Sequence, residues 1–162
     1  MIVVEDLVKS YGRVEALRGV SLRVAPGERV CLLGHNGAGK STLMKTLAGQ
    51  LLPTRGSVRI DGIDVGADPD GARARMGYVP EEPALYDYLT AREFLELVVD
   101  LRGAGTVEEG LAIADLGADA DRLIREYSQG MRRRTALAAA LVAHPKALIL
   151  DEALNGLDPP SS

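Results

Sequence analysis

The nine residues from Gly34 to Thr42, Gly-His-Asn-Gly-Ala-Gly-Lys-Ser-Thr, constrain this chain more than any other stretch. They fit the pattern G-x-x-x-x-G-K-[ST], with Gly34, Gly39, Lys40 and Ser41 at its fixed positions. Gly34, Gly37 and Gly39 carry no Cβ, so the backbone can curl tightly and aim successive N–H groups inward at an anion. A helix beginning near Lys40 adds its positive N-terminal end to the same nest. Lys40 supplies a mobile point charge for outer phosphates, and the Ser41 hydroxyl is a hard oxygen ligand suited to Mg²⁺. Immediately upstream, Arg29-Val30-Cys31-Leu32-Leu33 is a short apolar run that predicts a buried strand feeding the loop. This combination predicts a nucleoside triphosphate site.

A second stretch completes the chemistry. Lys146-Ala147-Leu148-Ile149-Leu150-Asp151-Glu152 reads as an apolar strand that delivers two adjacent carboxylates at its C-terminal end, where open α/β sheets hold their ligands. One carboxylate can hold Mg²⁺ through water while the next orients or deprotonates an attacking water. A strand ending in Asp-Glu is common by itself; downstream of a phosphate loop it is specific.

The remaining pattern organises around these two ends. Alternating apolar and polar residues in 1–27 predict two half-buried strands, joined by a loop at Ser10-Tyr11-Gly12-Arg13 and closed by a turn at Pro26-Gly27. Tyr11 in that loop either stacks on a nucleobase or packs on its own hairpin. Leu43, Met44, Leu47 and Ala48 recur at helical spacing up to Gly49. Residues 56–62 read as a strand and turn, 72–76 as a short helix, and Tyr78-Val79 as a short strand. From 90 to 127 helical patterning is broken by glycines at 103, 105, 110 and 117, which predicts a small helical subdomain. Ser128 reads as the N-cap of an alanine-rich helix running to about His144. Arg132, Arg133 and Arg134 open that helix, as a solvated face or as a contact to an acidic partner or phosphate. His35 sits at a variable loop position, exposed rather than catalytic, and His144 before Pro145 reads as a helix-end cap.

Composition sets outer bounds. A length of 162 residues is that of one domain, and the net charge of −4 supplies no overall basic field for nucleic acid. No apolar run reaches membrane-spanning length, and the first residues lack a signal-peptide core. The single cysteine, Cys31, excludes a disulfide framework and reads as a small core residue of a reduced, cytosolic protein. Repeats and low-complexity tracts are absent.

With both ends of the site placed, residues 1–160 resemble the ATP-binding subunit of ATP-binding cassette (ABC) transporters, motif by motif and in family order. Tyr11 matches the aromatic that stacks on adenine, and Gly34–Thr42 the Walker A loop. Tyr78-Val79-Pro80-Glu81 matches the Q-loop, Tyr127-Ser128-Gln129-Gly130-Met131 the signature, Leu148–Glu152 Walker B, and Asn155-Gly156-Leu157-Asp158 the D-loop. The signature is the specific element, because other phosphate-loop ATPases lack it. Its form, Ser-Gln-Gly-Met, is similar to that of exporter subunits for drugs, polysaccharides or other cell-surface components.

The resemblance implies an α/β nucleotide-binding domain of the phosphate-loop class over residues 1–162. It would have an N-terminal antiparallel β-subdomain, a parallel-sheet core and a helical subdomain at about 84–140, with the C-terminal part of the family domain missing. It implies ATP and Mg²⁺ as ligands. ATP would be held by Tyr11, Gly34, His35, Asn36, Gly37, Ala38, Gly39, Lys40, Ser41, Thr42 and Glu81. Ser128, Gln129 and Gly130 would reach it from a second subunit in a head-to-tail dimer, and Asp158 of the D-loop would also contact ATP. Ser41, Glu81 and Asp151 would attend the metal, and Glu152 would be the general base. The implied partners are a second copy or a paired cassette subunit and membrane-spanning permease subunits. These would seat near Glu81–Leu89 and hold the chain at the cytoplasmic face of the membrane.

Four departures from the family pattern accompany the match. Glu81 stands where glutamine is usual, and Ala153-Leu154 where Pro-Thr is common. The Q-loop-to-signature stretch is a few residues short. The chain ends four residues after Asp158, before the position of the family's switch histidine. The family strand leading to that histidine lies between the Walker A and Walker B strands. Its absence predicts a marginally folded or aggregation-prone polypeptide with negligible ATPase activity by itself. A soluble cassette ATPase of DNA repair, chromosome organisation or translation is the competing class, along with a catalytically dead nucleotide-binding fragment. That class tends to carry long coiled coils, zinc-binding cysteines or twin cassettes; only 46 residues separate Glu81 from Ser128 and one cysteine is present, which disfavours the first two and leaves a second cassette open.

Overall fold

A computed structural model of the chain describes residues 1–151. They fall into two compact units, Met1–Met76 and the residues from Gly77 onward.

The first unit is built on a four-stranded antiparallel sheet in the order β2-β1-β3-β4, from β1 (Ile2–Tyr11), β2 (Val14–Val24), β3 (Arg55–Ile60) and β4 (Ile63–Asp64). β1 runs antiparallel to both neighbours, with Val4 opposite Leu22 on one side and Val58 on the other. Its alternation buries Val4, Leu7 and Val8, and Leu17, Val58 and Ile60 complete the apolar face. The hairpin is tighter than the sequence pattern predicts: the turn is Gly12-Arg13, and Tyr11 belongs to the end of β1. At Asp6 the strand kinks through a positive φ of 45°. Opposite the kink, Gly56 runs so close to the Glu5 and Asp6 carbonyls that any side chain there would strike them. Helix α1 (Lys40–Leu47) buries Leu43, Thr46 and Leu47, and the Thr46 hydroxyl donates to the Thr42 carbonyl at 2.8 Å. Helix α2 (Pro69–Ala74) starts earlier than the predicted helix at 72–76, because the Asp68 carboxylate caps Gly71 N–H at 2.9 Å and Pro69 fits the first turn.

One expectation fails. Residues 29–33 form no strand, Val30 and Leu33 are 51% and 89% exposed, and Cys31 is exposed rather than a core residue. A strand exists only by pairing, and among the described residues no strand pairs with this run. The apolar sequence alone does not supply a partner.

The second unit pairs β5 (Met76–Val79) with β6 (Ala147–Leu150). Between them run α3 (Ala91–Arg102), α4 (Val107–Ala114), two short 3-10 turns and α5 (Gln129–Leu141). Both α3 and α4 open with reciprocal caps. Thr90 accepts from Glu93 N–H while the Glu93 carboxylate accepts from Thr90 N–H, and Thr106 with Glu109 repeats the exchange. Gly103, at φ 62°, ends α3. The helical core gathers Phe94, Leu95, Ala114, Ile124, Tyr127 and Ala138. α5 lies directly on β5: Val79 packs with Ala136 and Ala140, and a Cβ at Gly77 would collide with the Ala140 carbonyl. His144 sits just past α5 at φ 51°, its N–H bonded to the Leu141 carbonyl at 2.9 Å and its ring 3.6 Å from the Glu109 carboxylate.

Candidate functional site

Within the first unit the glycine-rich loop leads straight into α1, whose first residue is Lys40. Gly39 makes that junction possible. Its φ is 88°, and a Cβ there would lie 2.5 Å from the Ala16 carbonyl oxygen and 3.1 Å from the Leu17 side chain. Lys40 curls back over the loop, donating from Nζ to the Gly34 carbonyl at 2.6 Å and the His35 carbonyl at 3.1 Å. The ammonium therefore stands over the concave backbone, held by acceptors that phosphate oxygens can replace. His35 is exposed and donates from Nδ1 to the Asn36 carbonyl at 2.8 Å. Asn36, Gly37, Ala38 and Ser41 are exposed, and Thr42 is half-buried. No side chain caps α1, so the N-terminal N–H groups stay open toward the loop. Tyr11 is 49% exposed, with the Lys9 ammonium 5.3 Å from its ring centre. One ring face is thereby engaged by a cation.

The second unit holds the carboxylate and signature residues. Asp151 follows β6, and its N–H donates to the Val79 carbonyl at 2.9 Å, so β5 fixes the end of β6. Its side chain is buried. Nearby, the Tyr78 hydroxyl is buried without a hydrogen-bond partner among the described residues. Burial and then the Asp151 charge raise its pKa above the usual tyrosine range, which keeps the phenol protonated. Glu81, two residues past β5, is exposed.

Ser128 is the N-cap of α5, exposed, with its Oγ accepting from Met131 N–H at 3.3 Å. Gln129 is exposed and Gly130 half-buried at the first turn. Tyr127 anchors this corner from inside: its ring is buried and its hydroxyl donates to the Asp119 carbonyl at 2.7 Å. Burial raises its pKa too. Glu152 and Asp158, the sequence candidates for general base and D-loop contact, lie outside the described residues.

The three arginines of α5 do not form a uniformly solvated face. Arg132 bonds Asp87 at 2.7 Å, and Arg134 bonds the Asp115 carbonyl at 2.7 Å. Nothing local in the sequence signals either partner, which lie 45 and 19 residues away.

Ser41 in the first unit and Glu81 and Asp151 in the second each offer hard oxygens, the donor type Mg²⁺ takes. Among the described residues no group of three or more His, Cys, Asp or Glu side chains could hold a metal. Mg²⁺ commonly takes one or two carboxylates and completes its shell with water and substrate phosphates. Among the described residues no helix is long and apolar enough to cross a membrane.

A protein-family profile described as "ABC transporter" matches residues 17–155. The chain is 41% identical over 165 residues to an uncharacterized ABC transporter ATP-binding protein, YxlF, of Bacillus subtilis (strain 168), covering 98% of this chain and 54% of that protein. It is 37% identical over 162 residues to the bacitracin transport ATP-binding protein BcrA of Enterococcus faecalis, covering 98% and 53%. The chain thus spans about half the length of the curated relatives it matches. Among solved structures it superposes on a dimeric ATP-binding cassette in a post-hydrolysis state bound to ADP and Pi. That match has a TM-score of 0.86 and 30% identity, covering 98% of this chain and 76% of the other.

Proposed function

Because the chain belongs to the ABC transporter ATP-binding family, we propose that it is the ATP-hydrolysing part of a transporter, an exporter, working as a head-to-tail dimer on membrane-spanning partners. The observation that carries this reading is Ser128. It stands exposed at the N-terminus of the 13-residue helix α5, in a signature sequence that other phosphate-loop ATPases lack. A hydroxyl, open N–H groups and the helix dipole at one point suit a γ-phosphate held by another copy. The relative named for bacitracin transport and the dimeric, ADP- and Pi-bound neighbour support the same reading.

Each residue then has a role. Tyr11 stacks on the base, and residues 34–42 wrap the phosphates with backbone N–H groups. Lys40 leaves the Gly34 and His35 carbonyls for the outer phosphate oxygens. Ser41, Glu81 and Asp151 would hold Mg²⁺, which when bound would neutralise phosphate charge. Glu152 takes the proton of the attacking water, and Asp158 contacts ATP. ATP glues the dimer and hydrolysis releases it. Glu81–Leu89, with Tyr86 and Tyr88 exposed, offers the membrane partners apolar surface.

In the full-length protein, ATP with Mg²⁺ is expected to shift a monomer to a dimer on sizing, and Ser128→Arg to block the shift by placing bulk and charge where the γ-phosphate docks. A Ser128→Arg protein that dimerises like its parent contradicts the reading. Tyr11→Ala is expected to weaken ATP by about 1–3 kcal/mol, the range of base–aromatic stacking. GTP should lose a similar amount in the same fluorescence titration, since every base has a π-face. A loss confined to ATP would mean hydrogen-bond readout instead of stacking.

A further inference from the structure

The residues just before the signature are laced to a distant segment. Ile124 N–H donates to the Leu89 carbonyl at 2.8 Å and Arg125 N–H to the Asp87 carbonyl at 3.1 Å, beside a strand-like bridge between Thr90 and Leu123. Arg132 closes this lacing from α5. Its Nη1 donates to Asp87 Oδ1 at 2.7 Å and to the Ile124 carbonyl at 3.2 Å. Its own N–H bonds the Ser128 carbonyl at 3.0 Å, so it sits one helical turn from the signature serine. The Arg132 side chain is only 22% exposed, against 52% for Asp87, so the guanidinium is the enclosed partner. A planar guanidinium can satisfy a carboxylate and a carbonyl at once, which a lysine ammonium on a flexible stem does less selectively.

We propose that Arg132 is a positioning residue for Ser128: by bridging Asp87 and the Ile124 carbonyl it fixes the first turn of α5, and with it the signature serine, against the segment at 86–90. Two surfaces meet at this residue, the 123–126 turn before the signature and the loop carrying Asp87. Without the bridge α5 keeps its buried alanine face, so the helix still forms while its first turn loses its lateral anchor. The inference deepens the reading that Ser128 docks on a nucleotide held by a second copy, and rests on it.

The test uses the full-length protein carrying Glu152→Gln, which holds ATP without turning it over. Binding of a fluorescent ATP analogue to the monomer and the ATP concentration for half-maximal dimerisation are measured separately, with thermal unfolding alongside. Arg132→Ala is expected to raise the dimerisation midpoint about tenfold while analogue binding and the unfolding midpoint stay close to the parent. Asp87→Ala should move the dimerisation midpoint the same way, and the double variant should be no worse than Arg132→Ala. Restoring the pair in reverse, Asp87→Arg with Arg132→Asp, should recover part of the loss. A dimerisation midpoint within twofold of the parent in Arg132→Ala overturns the proposal. A parallel loss of analogue binding and thermal stability overturns it too, because the role would then be merely structural. If the parent itself does not dimerise with ATP, the reading of Ser128 falls and the inference with it.

Discussion

Lys40→Ala is expected to weaken ATP binding about a hundredfold, roughly 3 kcal/mol. Lys40 is the sole cation in the stretch 34–42, and its Nζ already lies over the loop on the Gly34 and His35 carbonyls. Phosphate oxygens are stronger acceptors for an ammonium than carbonyls are, so the exchange favours the bound state. Alanine leaves the loop conformation to Gly39 and the helix start, which do not depend on the lysine. The loss should therefore appear in nucleotide affinity and leave the unfolding midpoint nearly unchanged. A fluorescence titration with ATP and Mg²⁺ measures it; an unaltered dissociation constant would remove the phosphate-loop assignment.

Glu152→Gln is expected to lower turnover by about 10²–10⁴-fold, the range of general base catalysis, while retaining ATP. The amide keeps the shape of the carboxylate but cannot accept the proton of the attacking water. Closure then occurs and does not reset, so a stable ATP-bound dimer accumulates. Glu152 follows directly on Asp151, which β5 and β6 fix through the bond to the Val79 carbonyl. Sizing in ATP and Mg²⁺, with phosphate release measured in parallel, checks both halves. A variant that turns over at the parental rate assigns the base elsewhere.

Local chemistry made much of this molecule legible. The β1–β2 hairpin follows from alternation in 1–24, and α5 from Ser128 followed by an alanine-rich run, because both signals act between near neighbours. The junction of the 34–42 loop with α1 is legible for the same reason: the glycine and lysine that shape it lie side by side in the sequence. Residues 29–33 were misleading because burial of a strand depends on what lies beside it, and apolar composition carries no information about a neighbour. Cys31 went with them. Arg132 looked like one member of a charge run, while its partner Asp87 is set by how α3 and the 123–126 turn bring distant segments together. The buried Tyr78 hydroxyl beside Asp151 is likewise a product of β5–β6 pairing, invisible in Tyr78-Val79 alone.

The central claim is that the Lys40 loop of one copy works with the Ser128 corner of another. Mixing two inactive full-length variants, Lys40→Ala and Ser128→Arg, tests it most directly. In a head-to-tail mixed dimer one site carries both substitutions and the other carries neither. Each variant alone is expected to release almost no phosphate from ATP, and the mixture to recover turnover through its one intact site. If the mixture remains as inactive as its components while both chains still fold, the two halves act within a single copy and the account is contradicted.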